Sequence, residues 1–154
     1  MRFTLHGVVF ALFFSPAFAA ADVQWRIINR PYLQGLSSEQ NDDPVFWAYC
    51  RPGAVIDLGA GGNIGIGRGE GEAVTLKLTS DGRSATLNGI SRPTAGFEST
   101  GRPELRTSVS EGDPLFDVLR TGKPVTVSGS MERADTWTVD GLRSRTSNFL
   151  RQCR

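Results

Sequence analysis

The chain reads as a mainly β protein, an antiparallel sandwich or partly open barrel with two short helices. Three observations predict this. Short apolar-alternating runs follow one another along the chain, separated by Gly, Pro, Asp and Ser turn signals. No strand alternates with a long amphipathic helix, which argues against a parallel α/β sheet. Helical patterning is confined to a short segment after Asp113 and to the C-terminus.

Taken in order, Val23 to Ile28 is a first strand. Pro31 to Pro44 is polar and turn-rich, with Asn41-Asp42-Asp43 as an acidic knot. Val45 to Cys50 is a strongly apolar strand, followed after Pro52-Gly53 by Ala54 to Leu58. Val74, Leu76 and Leu78 alternate with Thr75, Lys77 and Thr79, the period-two pattern of a half-buried strand. Ser80-Asp81-Gly82 turns that strand into Ser84 to Ile90, closing a hairpin. Ser91 to Thr100 is loop-like, and Leu105 to Val109 is a further strand. Asp113 is an N-cap, Pro114 suits the first helical position, and Gly122 sits where a C-terminal glycine belongs. Strands follow at Pro124 to Ser128 and Thr136 to Val139, giving about eight in all. In the last segment Leu142, Thr146, Phe149, Leu150 and Cys153 form one helical stripe.

The N-terminus has the layout of a secretory signal peptide over residues 1–21. Met1-Arg2 is a basic start, Leu5 to Phe14 an apolar run, and Ala17-Phe18-Ala19 a small-x-small site, with cleavage expected after Ala19 or Ala21. The apolar run is too short for an uncleaved anchor, and no later run approaches the roughly 20 residues that span a bilayer. Residues 22–154 then form a single exported domain, periplasmic or secreted, with no transmembrane segment.

Removing the leader changes the chemistry available. It takes away His6, the only histidine. It also removes Arg2, leaving 16 of the 17 Lys and Arg against 16 Asp and Glu. A balanced chain has no general attraction to nucleic acid. Without histidine there is no Ser-His-Asp triad, no Cys-His pair and no imidazole metal site; neither a cofactor nor a metal is expected. Cys50 and Cys153 are the only cysteines, and in an oxidising compartment they are expected to pair. There is no C-x-x-C that would point to redox catalysis.

The glycine-rich run is the most unusual feature. Gly59, Gly61, Gly62, Gly65, Gly67, Gly69 and Gly71 crowd one stretch, matching neither nucleotide-loop spacing. As a strand it would align Gly65, Gly67, Gly69 and Gly71 on one face, forming a groove for an extended ligand or a surface packed under Trp25, Trp47 or Trp137; a loop is the third alternative. Asp57, Glu70 and Glu72 flank the run and are the candidate carboxylates for a hydrolase acting on envelope glycan. The bland alternative for Glu70 and Glu72 is a solvated face beside Arg68. Asn41-Asp42-Asp43 lacks the ordered spacing of a calcium loop. Trp25, Tyr32, Phe46, Trp47 and Tyr49 cluster in the N-terminal third, as core or as rings exposed for sugar or protein binding, with Phe46 and Tyr49 on opposite strand faces. Arg92, Arg102 and Arg106 are expected in solvent.

The stretch Asp113-Pro114-Leu115-Phe116-Asp117-Val118-Leu119-Arg120-Thr121-Gly122-Lys123-Pro124-Val125-Thr126-Val127, with Val139-Asp140-Gly141-Leu142 leading into the last helix, resembles the ending of small exported bacterial proteins of the invasion-associated locus B family. The resemblance implies a β-rich periplasmic or secreted protein linked to host interaction, without established catalysis, and carries over no functional residue. The expectation is a non-enzymatic exported binding domain for an unknown protein or for a cell-envelope or host-surface glycan. The alternatives are the carboxylate hydrolase and a purely structural envelope component.

Overall fold

A computed structural model of the chain describes residues 21–27, 32–37, 44–61, 64, 66–94, 103–129, 134–140 and 142–154. Among the described residues nine strands are present: β1 (Ala21–Ile27), β2 (Tyr32–Ser37), β3 (Pro44–Arg51), β4 (Val55–Ala60), β5 (Ala73–Ser80), β6 (Arg83–Pro93), β7 (Pro103–Ser110), β8 (Val125–Gly129) and β9 (Ala134–Asp140). Two helices accompany them among the described residues, α1 (Pro114–Leu119) and α2 (Leu142–Gln152). The mainly β expectation with two helices therefore holds, and the strands form one sheet in the order β1-β2-β3-β4-β7-β6-β5-β8-β9. Eight of its nine neighbour pairings are antiparallel. The ninth, between β1 and β9, is parallel and closes the ring. An odd number of strands cannot alternate direction all the way round, so one parallel pair is required.

Alternation of side chains across the sheet sends one set inward. Phe46, Ala48 and Cys50 of β3, Ile56 and Leu58 of β4, Leu76 and Leu78 of β5, and Val125 and Val127 of β8 are buried together. Trp25 tilts against Phe46 in this core, with ring centroids 5.4 Å apart. The strand directions divide the connections between two ends. β4 ends and β5 begins at one end, where Ile64 and Ile66 of the glycine-rich connection are buried in the core. At the other end α1 and α2 follow β7 and β9, and their Phe116 and Phe149 pack 6.4 Å apart. Side chains thus fill the interior and both helices seal the same end.

The helices form where the sequence places them. Asp113 Oδ1 accepts the Leu115 N–H at 2.9 Å, and Pro114 occupies the first turn. Leu115, Phe116, Val118 and Leu119 are buried against β5 and β6. Arg143 of α2 donates to the carbonyls of Arg120 (2.8 Å) and Thr121 (3.0 Å), supplying partners that a helix C-terminus lacks. In α2, Leu142, Thr146, Phe149 and Leu150 are buried, the stripe expected from spacing. The stripe delivers Cys153 to Cys50 near the end of β3, and the two form a disulfide with Cα atoms 5.5 Å apart.

Most strand boundaries shift by one or two residues from the sequence expectation, and three differences matter for the fold. The stretch taken as turn-rich after Pro31 contains β2, held on both sides by β1 and β3. Gly35 and a register shift beside it interrupt the period-two signal there. β6 runs on to Pro93 because Ser91 and Arg92 pair with Leu105 and Glu104 of β7. β4 starts at Val55 and continues to Ala60, one residue later and two residues farther than expected. Residues 1–20 of the expected signal peptide, Asn41-Asp42-Asp43 and Arg102 lie outside the described residues.

Candidate functional site

Among its described residues the glycine-rich connection is not a strand, and Gly67, Gly69 and Gly71 do not form the expected glycine face. Gly67, Gly69 and Gly71 adopt positive φ of 68°, 84° and 91°, which breaks strand alternation; Gly65 lies outside the described residues. The chain instead wraps around two side chains. Ser91 Oγ, fully buried, donates to the Ile66 carbonyl at 2.6 Å and accepts the Gly69 N–H at 2.9 Å. The Glu72 carboxylate accepts the backbone N–H of Arg68 and, at 2.9 Å, that of Glu70. Successive backbone N–H groups of this kind make an anion cradle, and here the chain's own carboxylate fills it. These hydrogen bonds, the Arg68 N–H foremost, hold the Glu72 carboxyl below its ordinary pKa. A Cβ at Gly67 would stand 2.8 Å from Ser91 Oγ, so the tight wrap excludes a side chain there.

The candidate carboxylates are held in two separate places. Asp57 is on the outer face of β4, with one oxygen accepting Ser108 Oγ at 2.6 Å and the other bound to Arg51 Nε at 2.7 Å. Glu72 is occupied by backbone N–H groups in the connection beyond the far end of β4, and Glu70 is exposed beside it.

What the fold does assemble is a cluster on the outside of the barrel. Cross-strand register places Tyr32, Tyr49, Asp57 and Ser108 in one row across β2, β3, β4 and β7. The adjacent row runs Trp47, Gly59, Arg106 and Ile90 across β3, β4, β7 and β6. Directly opposed residues in such rows touch. With no side chain on Gly59, the Trp47 indole lies down on β4; a Cβ at Gly59 would be 2.7 Å from its Cζ2. The indole Nε1 then donates to Glu104 Oε2 at 2.9 Å. The other Glu104 oxygen binds Arg106 Nε at 2.6 Å, and the Arg106 guanidinium sits 5.7 Å from the Trp47 ring centroid. Glu104 is only 4% exposed. A carboxylate removed from water is costly unless its oxygens are engaged, and both are.

The rings continue across β2. The Tyr32 ring is parallel to Trp47 within 6°, with centroids 6.4 Å apart, an offset rather than a face-to-face arrangement. Tyr49 lies 6.5 Å from Tyr32 and is 45% exposed. Burial, and then the nearby negative charge of Glu104, raise the Tyr32 pKa above 10.0, so its hydroxyl stays protonated.

The sequence pointed to these aromatics but left core and surface roles open. Phe46 faces inward and Tyr49 outward, as alternation required; Trp25 is core. Arg106 is exposed, as expected, and its guanidinium is also bound by Glu104. Glu104 was not anticipated, although its place two residues from Arg106 on one strand face was the available signal.

No protein-family model, curated protein or solved structure matches this chain. Among the described residues no helix is long and apolar enough to cross a membrane.

Proposed function

We propose that this protein is an exported, non-enzymatic binding domain that presents the outer face of β2, β3, β4 and β7 to a ligand at the cell envelope or a host surface. The disulfide supports export, since such bonds persist in oxidising compartments. The resemblance to the invasion-associated locus B family is in keeping with a periplasmic or secreted protein of this kind. The observation that carries the binding reading is the Trp47 clamp. A buried carboxylate and a glycine together fix one surface indole beside two tyrosines. Trp, Tyr and Arg are the residues that dominate binding energy at interfaces. Asp57 and Glu72, each held by local partners, offer no facing pair of the kind glycoside hydrolysis uses.

The test is affinity capture with the immobilised secreted chain against envelope and host-surface fractions. Retained material that is lost with Trp47→Ala and Tyr49→Ala, and kept with Arg83→Ala at the start of β6, outside that face, supports the proposal. Identical retention by all variants, no retention from either fraction, or a hydrolytic activity abolished by Glu70→Gln with Glu72→Gln overturns it.

A further inference from the structure

We infer that the ligand of this outer face is a neutral saccharide chain, which stacks on the Tyr32–Trp47–Tyr49 rings. The inference rests on the binding reading above and names its ligand class.

Ring geometry is the first support. Trp47 and Tyr32 are nearly parallel and offset by 6.4 Å, so they form a short strip rather than a closed stack. A pyranose has one relatively apolar C–H face and a rim of hydroxyls. A fixed strip of π faces matches the first, and polar groups beside it match the second. Those groups are present. Asp57 and Ser108 continue the tyrosine row, and Arg51 and Arg106 flank it. A carboxylate oxygen that already accepts one hydrogen bond retains a lone pair for another.

Charge is the second support. The two guanidiniums that flank the tyrosine row are each matched by a carboxylate: Arg51 by Asp57 at 2.7 Å, and Arg106 by Glu104 at 2.6 Å. Along the tyrosine row itself, among the described residues, no uncompensated charge is offered to an anionic polymer. A neutral ligand with many hydroxyls needs none.

Shape and preorganisation are the third. The strip lies on the outside of a barrel, whereas small-molecule sites are concave and enclose their ligand. An open face suits the interior units of a chain that continues past it. Trp47 is held before any ligand arrives, by Glu104 on one edge and by the bare backbone of Gly59 beneath. A ring fixed in advance loses little freedom on binding.

The test begins with the secreted chain on an array of neutral and acidic saccharides. The best neutral oligosaccharide is then titrated by tryptophan fluorescence and calorimetry. Tyr49→Ala and Trp47→Ala are each expected to weaken binding by about tenfold or more, the loss typical of a dominant contact. Tyr49→Phe keeps the ring and most of the affinity. Tyr49 is exposed, so its alanine variant tests the idea even if Trp47→Ala fails to fold. The inference is overturned if no neutral saccharide binds, if only acidic ones bind, or if Tyr49→Ala binds as well as the parent. Ring-dependent capture of a protein without saccharide binding would also overturn it, while leaving the binding-domain proposal standing.

Discussion

Cys50 and Cys153 join β3 to the end of α2 across 103 residues of chain. Replacing both with alanine removes the cross-link and leaves the apolar packing of α2 through Leu142, Phe149 and Leu150 in place. The unfolded chain then regains the freedom of a loop of that length. Loop-closure entropy puts the loss at about 4.7 kcal/mol. Whole domains are stable by only about 5–15 kcal/mol, so this is a large fraction of the total. The assay is urea unfolding followed by far-ultraviolet circular dichroism, comparing the oxidised parent with Cys50→Ala/Cys153→Ala. Hydrogen exchange should report the greatest loss of protection in α2, because that helix carries the anchor. A stability loss under about 1.5 kcal/mol, with one cooperative transition, would refute the reasoning. It would mean that helix docking, not the covalent tie, holds the sealed end.

Three further outcomes follow from other parts of the structure. Gly59→Ala drives a Cβ into the Trp47 ring and breaks its bond to Glu104. Unfolding should show a loss of about 1.5–3 kcal/mol, the value of a hydrogen bond to a charged group, with altered tryptophan fluorescence; an unchanged spectrum and stability would contradict the clamp. The Glu72 carboxyl, held below its ordinary 4.5 by backbone N–H groups, favours folding above the unfolded-state value. That contribution is lost as pH falls through the depressed folded-state value. Glu72→Gln should therefore flatten the acid limb of the stability profile, and carboxyl NMR should find Glu72 titrating low; a titration at or above 4.5 counts against the cradle. On the export proposal the mature chain should begin at Ala20, since cleavage after Ala19 preserves the Ala21 pairing with Trp137 in the ladder that closes the barrel. Intact-mass measurement distinguishes this from a chain beginning at Asp22.

Much of the architecture was legible because local rules and tertiary demands agree. The hairpin of β5 and β6 follows from strict alternation around Asp81-Gly82. The start of α1 follows from Asp113-Pro114, and the α2 stripe predicts the direction of Cys153. The strand β2 was hidden because Gly35 interrupts its pattern and its partners are remote in sequence. The glycine-rich run misled for a related reason. Alternating glycines fit a strand on paper, but Gly67, Gly69 and Gly71 use their left-handed freedom to wrap around Ser91 and Glu72.

By itself the sequence determined that this is a mainly β chain with two capped or striped helices, one expected disulfide and a single histidine, His6. Those properties depend on residue type and short-range periodicity. Only the tertiary structure decided that nine strands close into one barrel, that the glycine run serves its own carboxylate, and that Trp47 lies over Gly59 within reach of Glu104. Each of these depends on register between strands far apart in the chain. Trp47 and Glu104 are 57 residues apart, and no local pattern can report which residues such a register sets face to face.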